Sequence, residues 1–302
     1  MSEHYPRIRL DKALGERHSL FIRESMSITF HMKRSHQELV HAVMRDLEVY
    51  RRAVGALTLG WYANPYSGDW DELDDKGWAY LQREMLEEPA THLWLRESPS
   101  ATTGYEVLYH GRLLDTPPAN DMTVVSFILP TEYLEEHGPK RVRELALELA
   151  AELPFSSGHA GLAFNFPESV LGTTERIRDL SFRYPGLDIP QVQFDSLAIG
   201  TRVNGVHWLN FLGQPVLGAL GGVEGLRARL RSPDTTVQEL DGERAVVTLG
   251  KWPEAGDTER GHALPEHREL ARVLEPWLFL GRAPFDGFSE ADMRRWERRF
   301  LD

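Results

Sequence analysis

The chain has 302 residues, of which 41% are hydrophobic and 26% charged, with a formal net charge of −12 and no cysteine. A chain of this length can bury about 75% of its unfolded surface, so its core needs no covalent staples, and disulfides, Cys-ligated zinc and iron–sulfur clusters are excluded. The acidic excess falls within residues 61–200 and no basic run is present, which disfavours direct binding to nucleic acid or an anionic membrane and leaves a basic protein partner open.

The first 25 residues are charged throughout and lack the apolar core of a signal peptide. No stretch reaches the ~18 apolar residues of a membrane span. The expected location is the cytoplasm. Residues 26–32, MSITFHM, alternate strictly, with Met26, Ile28, Phe30 and Met32 on one side of a half-buried strand. Ser35 with Glu38 forms a capping-box signal for a helix whose buried stripe is Leu39, Val43, Leu47, Tyr50 and Val54, ended by Gly55. LTLGWYA (57–63) reads as a strand.

Residues 64–77, NPYSGDWDELDDKG, hold five carboxylates: Asp69, Asp71, Glu72, Asp74 and Asp75. Capping by Ser67 or Asp69 is expected, with a helix starting near Asp71 and Leu73, Trp78, Leu81 and Met85 on its buried face. Acids in a first helical turn gain about 0.3–1 kcal/mol each from the macrodipole, and five exceed what the dipole can reward. The spacing lacks the glycine and terminal glutamate of an EF-hand loop. So polar a cluster is also expected to be solvated, without the unlike environments that paired catalytic acids need. Trp70 and Tyr66 are expected to be exposed among these charges, which suits an interface anchor. The expected partner-binding residues are Tyr66, Asp69, Trp70, Asp71, Glu72, Asp74 and Asp75. No catalytic residue, metal ligand or cofactor is assigned.

HLWLR (92–96) and YEVLYH (105–110) read as a hairpin. MTVVSFIL (122–129) alternates little and is expected to be central, buried on both faces. Pro139 opens a helix with Val142, Leu145, Leu149 and Leu153 inward, AGLAFNF (160–166) is a strand, and 173–182 is weakly helical. AIGTRV-NG-VHWLNF (198–211) carries a strong hairpin signal at Asn204-Gly205. LGALGG (217–222) suits tight turns rather than a dinucleotide fingerprint. A short helix follows from about Val223, then a hairpin at Asp241-Gly242. Helices from Pro265 and from Ser289 close the chain, the second docking Met293, Trp296 and Phe300. His36 and His41, five apart, point about 140° apart on a helix, poorly placed to share a metal; the other histidines are scattered. Nucleophile-elbow, P-loop and zinc-protease motifs are absent. The expected fold is α/β (α+β), with mixed sheet or sheets, packed helices and two pseudo-repeated halves at about 20–115 and 120–252. Residues 253–302 are expected to form a helical extension packed on a body of residues 1–252.

GTRVNGVHWLNFLGQPVLGALGGVEGL (200–226), VVSFILPTEYLEEHG (124–138) and SGHAGLAFNFP (157–167) resemble the type VI secretion immunity family TsiV over roughly residues 20–252. His207, Trp208, Leu209, Asn210, Phe211, Gly213, Gly221 and Gly222 carry over as fold signature. The resemblance implies a non-enzymatic immunity protein that binds a VRR-Nuc-type nuclease toxin and blocks its active or DNA-binding site. An effector adaptor or a carboxylate-dependent hydrolase is the alternative. The implied partner is a cognate, basic effector toxin, with no direct contact to nucleic acid or membrane.

Overall fold

The structure is a computed structural model that describes residues 3–302 apart from 15–16, 100–101, 103, 115–119, 168–171 and 285. In chain order it forms β1 (Arg9–Leu14), β2 (Arg17–Met32), α1 (His36–Val54), β3 (Trp61–Ala63), β4 (Trp70–Glu72), α2 (Asp75–Glu87), β5 (Thr91–Arg96), β6 (Glu106–Gly111), β7 (Thr123–Pro130), α3 (Thr131–Ala150) and β8 (Ser157–Asn165). There follow α4 (Thr173–Arg183), α5 (Val192–Ser196), β9 (Leu209–Leu212), α6 (Val216–Ala219), α7 (Gly222–Arg229), β10 (Thr235–Asp241), β11 (Arg244–Leu249), α8 (Pro265–Leu274) and α9 (Glu290–Glu297).

All described strands join one antiparallel sheet in the order β10-β11-β9-β8-β2-β7-β6-β5-β3-β4, with β1 hairpinned onto the N-terminal half of β2. The period-two alternation of β2 builds two unlike faces. Met26, Ile28, Phe30 and Met32 meet Val125, Phe127, Leu129, Ala160, Leu162 and Phe211 in the main core, and α1, α2 and α3 pack over that side. Full burial of such side chains is worth about 1.5–3 kcal/mol each. Tyr50 of α1 donates to the Ile128 carbonyl at 2.5 Å, and His36 is held between Tyr109 Oη and the Met85 carbonyl, both at 2.7 Å. His36 therefore clips α1 to α2 and β6. β7 is buried along its whole length, as its lack of alternation predicts.

The opposite face presents Ser27, Thr29, His31, Ser126 and His159 at the middle of the sheet, where Thr29 and Ser126 share a hydrogen bond at 2.8 Å. Three coverings divide it. Over β9 to β11 a second apolar cluster includes Leu217, Leu226, Leu270, Leu274 and Phe300. Over the centre lie the 187–208 segment and the C-terminal arm, so residues 26–32 of β2 are buried on both faces rather than half-buried. Over β4 to β6 the face is left as an open groove.

Several elements differ from the sequence reading. The Asn204-Gly205 hairpin does not form. Val203 instead receives a hydrogen bond from Phe279 N–H and donates to the Trp277 carbonyl, both at 2.8 Å, so residues 198–208 run as a loop tied to the C-terminal segment. Asn204 is buried by side-chain bonding, which outcompetes the turn. The 57–63 strand is confined to Trp61–Ala63. α3 begins eight residues before Pro139, and its two halves join across a kink at Gly138, φ 76°.

Candidate partner-binding surface

The acidic stretch folds as a hairpin and a helix start. Asn64 Oδ1 accepts from the N–H groups of Tyr66 at 2.9 Å and Ser67 at 3.2 Å, and Gly68 adopts φ +76°, a conformation that glycine tolerates without strain. The chain then returns as β4 against β3, at the edge of the sheet. α2 begins at Asp75, later than expected. Its cap is Asp74, whose Oδ1 accepts from Lys76 N–H at 3.0 Å and Gly77 N–H at 2.8 Å. Neither Ser67 nor Asp69 caps it.

The seven expected binding residues are thereby sorted by strand parity. Asp71, opposite Tyr62, turns to the helix-covered side, and its Oδ2 accepts from Asn64 Nδ2 at 2.8 Å. Asp74 and Asp75 belong to the start of α2. Asp69 and Glu72 are exposed. Tyr66 is 78% exposed, with its hydroxyl donating to Glu84 at 3.4 Å. Trp70, expected to be exposed, is half-buried on the open face. It meets Trp94 of β5 edge to face, with ring centroids 5.2 Å apart.

That contact begins a groove of about 490 Å³ that the sequence reading did not foresee. On its floor the Arg96 guanidinium carbon lies 4.3 Å from the Trp94 ring centre and 5.0 Å from that of Trp70. Glu106, one strand over, accepts from Trp94 Nε1 and lies 3.4 Å from Arg96 Nε, so the charges of the floor are paired. His92 and His110 stack at 4.2 Å. Burial, then His92 and Arg112, holds His110 down to about 3, so it is neutral at physiological pH. The far wall comes from α5 and the end of β8, with Phe166, Val192 and Phe194. Alternation in β5 and β6 was the available signal, since Trp94, Arg96, Glu106 and Leu108 share one parity.

A second constellation lies under the C-terminal arm. His159 and His207 stack with centroids 3.9 Å apart and planes 15° from parallel, and His159 Nε2 is 3.9 Å from Asp188 Oδ2. Gly161 leaves room for this, because a β-carbon there would stand 3.2 Å from His207 Cβ. Arg299 approaches Asp188 at 3.7 Å, and Arg282 pairs with Asp195 at 3.0 Å beside Asn204. Histidines scattered along the sequence thus meet, which spacing alone did not reveal.

Among the described residues His159, Asp188 and His207 bring their ligand atoms within 4.8 Å of one another. They fit a metal poorly. One ion cannot lie in the planes of two nearly parallel imidazoles, and His207 Nε2 already donates to the Asn204 carbonyl at 2.6 Å. Arg282 and Arg299 also balance the two aspartates, so a cation would enter a charge-neutral, desolvated site. Burial, then the neighbouring histidines, holds His159 well below its ordinary value. The cluster reads as an internal polar clasp for residues 278–302.

Residues 42–300 match the family model TsiV, described as type VI immunity for VRR-NUC. The match takes in the acidic hairpin, the groove lining apart from Ser25, and both clasp arginines. No curated protein matches the chain. A solved Pseudomonas aeruginosa T6SS protein is similar with a TM-score of 0.79 and 19% identity, over 97% of this chain and 87% of that one. At that identity the likeness establishes the fold alone. No helix among the described residues is long and apolar enough to cross a membrane.

Proposed function

The chain belongs to the TsiV family, type VI immunity for VRR-NUC, and on that footing we propose that it binds a cognate VRR-Nuc effector in the cytoplasm and neutralises it without chemistry of its own. The family match over 42–300 carries this reading. Charge supports it. A nuclease must be basic where it holds phosphate, and the exposed acids of the β3–β4 hairpin and α2 offer a competing anionic surface. Exposed pairs contribute only about 0–1 kcal/mol each, while complementary fields raise association rates. On this reading Tyr66, Asp69, Glu72 and Asp75 steer and contact the toxin, and Trp70 anchors it. Asp71 and Asp74 act indirectly by holding the hairpin and helix in place.

The test is to co-express the chain with the effector and to titrate it into a DNA-cleavage assay with purified nuclease. Restored growth and stoichiometric loss of cleavage are the expected results. A stable complex that cleaves DNA at the full rate would make the chain an adaptor, and no complex at micromolar concentration would end the proposal.

A further inference from the structure

We infer that the groove on the open half of the sheet seats an apolar side chain from a basic loop of the nuclease partner, between the Trp70–Trp94 pair and Phe194. This rests on the immunity reading above and adds to its acidic surface the apolar pocket beside it.

Three observations converge on the groove. First, an apolar side chain of the groove wall stands exposed. Phe194 of α5 is 62% exposed, and Leu197, the residue that ends the same helix, is 44% exposed. Large exposed apolar side chains beside a concavity mark contact sites. Second, Ser25 Oγ lines the groove and has no hydrogen-bond partner among the described residues, although Ser25 is only 1% exposed. A buried hydroxyl left unpaired is costly, and a main-chain group of the loop that carries the apolar tip would satisfy it. Third, Trp, Arg and Phe side chains line a concavity whose ionic groups neutralise each other. That is the composition of an interface hot spot, which buries aromatic anchors in a desolvated pocket.

The neighbouring charges identify the occupant. Arg96 is already held by Glu106 and by both tryptophan rings, so the floor accepts an apolar group rather than an ion. Trp70 is flanked in sequence by Asp69 and followed by Glu72, both exposed at the groove's β4 edge. A loop with an aliphatic or aromatic tip and basic flanks satisfies both parts. Single-stranded nucleic acid could stack on the same rings, but the acidic edge repels its phosphates.

The experiment measures affinity of a catalytically inactive VRR-Nuc effector for the wild type and for Phe194→Ala and Trp70→Phe, with circular dichroism melts as the folding control. Phe194 is exposed, so its truncation leaves the fold intact. Kd should rise at least about tenfold for Phe194→Ala, as expected for a hot-spot residue. Wild-type binding with both variants unchanged within twofold overturns the groove and leaves the immunity reading standing. Failure of the wild type to bind overturns both. The inference also falls if a fluorescent single-stranded oligonucleotide binds the wild type and not Phe194→Ala, or if Phe194→Ala converts a dimer to a monomer.

Discussion

Arg282 Nη2 lies 3.0 Å from Asp195 Oδ2, and both side chains are almost completely buried. The pair joins the C-terminal arm to α5, the element that also presents Phe194 to the groove. Burial outweighs Arg282 in lifting the Asp195 carboxyl to about 6, so the pair exists against a large desolvation cost. Arg282→Met should destabilise the fold by about 3–5 kcal/mol, because it strands a buried carboxylate. Adding Asp195→Asn, which removes the stranded charge and keeps an acceptor for the Asn204 amide, should recover much of that loss. Urea unfolding of the two variants checks it, and a single variant within 1 kcal/mol of wild type, as an order-of-magnitude threshold, would show that the clasp does not hold the arm.

Asp46 sets a pH dependence of its own. It is fully buried on α1, and burial lifts its carboxyl to about 8 despite Arg45 Nη1 at 2.9 Å. The unfolded chain releases that proton near pH 4. Between pH 4 and 8 the native state therefore holds the extra proton, and this group's contribution falls as pH rises, by at most about 1.4 kcal/mol per unit. Asp46→Asn should melt higher than wild type at pH 8, with the advantage fading towards pH 4. Equal melting temperatures at pH 8 would contradict the argument.

The histidines under the C-terminal arm, His159, His207 and His31 with its ring 6.4 Å from that of His159, act in the opposite direction. Burial, then Arg282 and His207, depresses His31 to about 3, and His159 and His207 are also lowered. An unfolded histidine titrates near 6.5, so below that pH the unfolded state takes up protons that the native state refuses. Stability is retained above pH 6.5 and lost as pH falls. His31→Leu should reduce the slope of unfolding free energy against pH between 6.5 and 5 by about 1 kcal/mol per unit. The difference from wild type cancels the Asp46 contribution. An unchanged slope would mean that His31 is charged in the native state.

The strands and helices were legible where periodicity met one dominant demand. Met26, Ile28, Phe30 and Met32 marked the core face, and the capping signals at Ser35 and Ser289 predicted helices that form. At Asn204-Gly205 local turn propensity is outweighed by tertiary bonding, with Val203 paired to residues 277 and 279. The clasp stayed invisible for a related reason. His31, His159, His207, Arg282 and Arg299 are far apart in sequence, and only sheet register and the docked arm bring them together. The acidic stretch was found, but its internal division was not, because strand parity within three residues decides which side chains face the groove.

That division changes which acids should matter for the toxin. Asp69→Lys with Glu72→Lys alters two exposed side chains that hold no structural bond in the hairpin. On the proposed function it should slow association with the nuclease severalfold at low salt while leaving the melting temperature unchanged. The effect should shrink as ionic strength rises, because the Debye length falls from about 30 Å at 0.01 M to about 8 Å at 0.15 M. Asp74→Lys is a different experiment. It removes the α2 cap and should cost about 0.5–2 kcal/mol of stability in the absence of any partner. Stopped-flow association at several salt concentrations, paired with thermal melts, separates the two. If Asp69→Lys/Glu72→Lys associates at the wild-type rate in 10 mM salt, a concentration chosen for its Debye length of about 30 Å, the exposed acids do not steer the toxin.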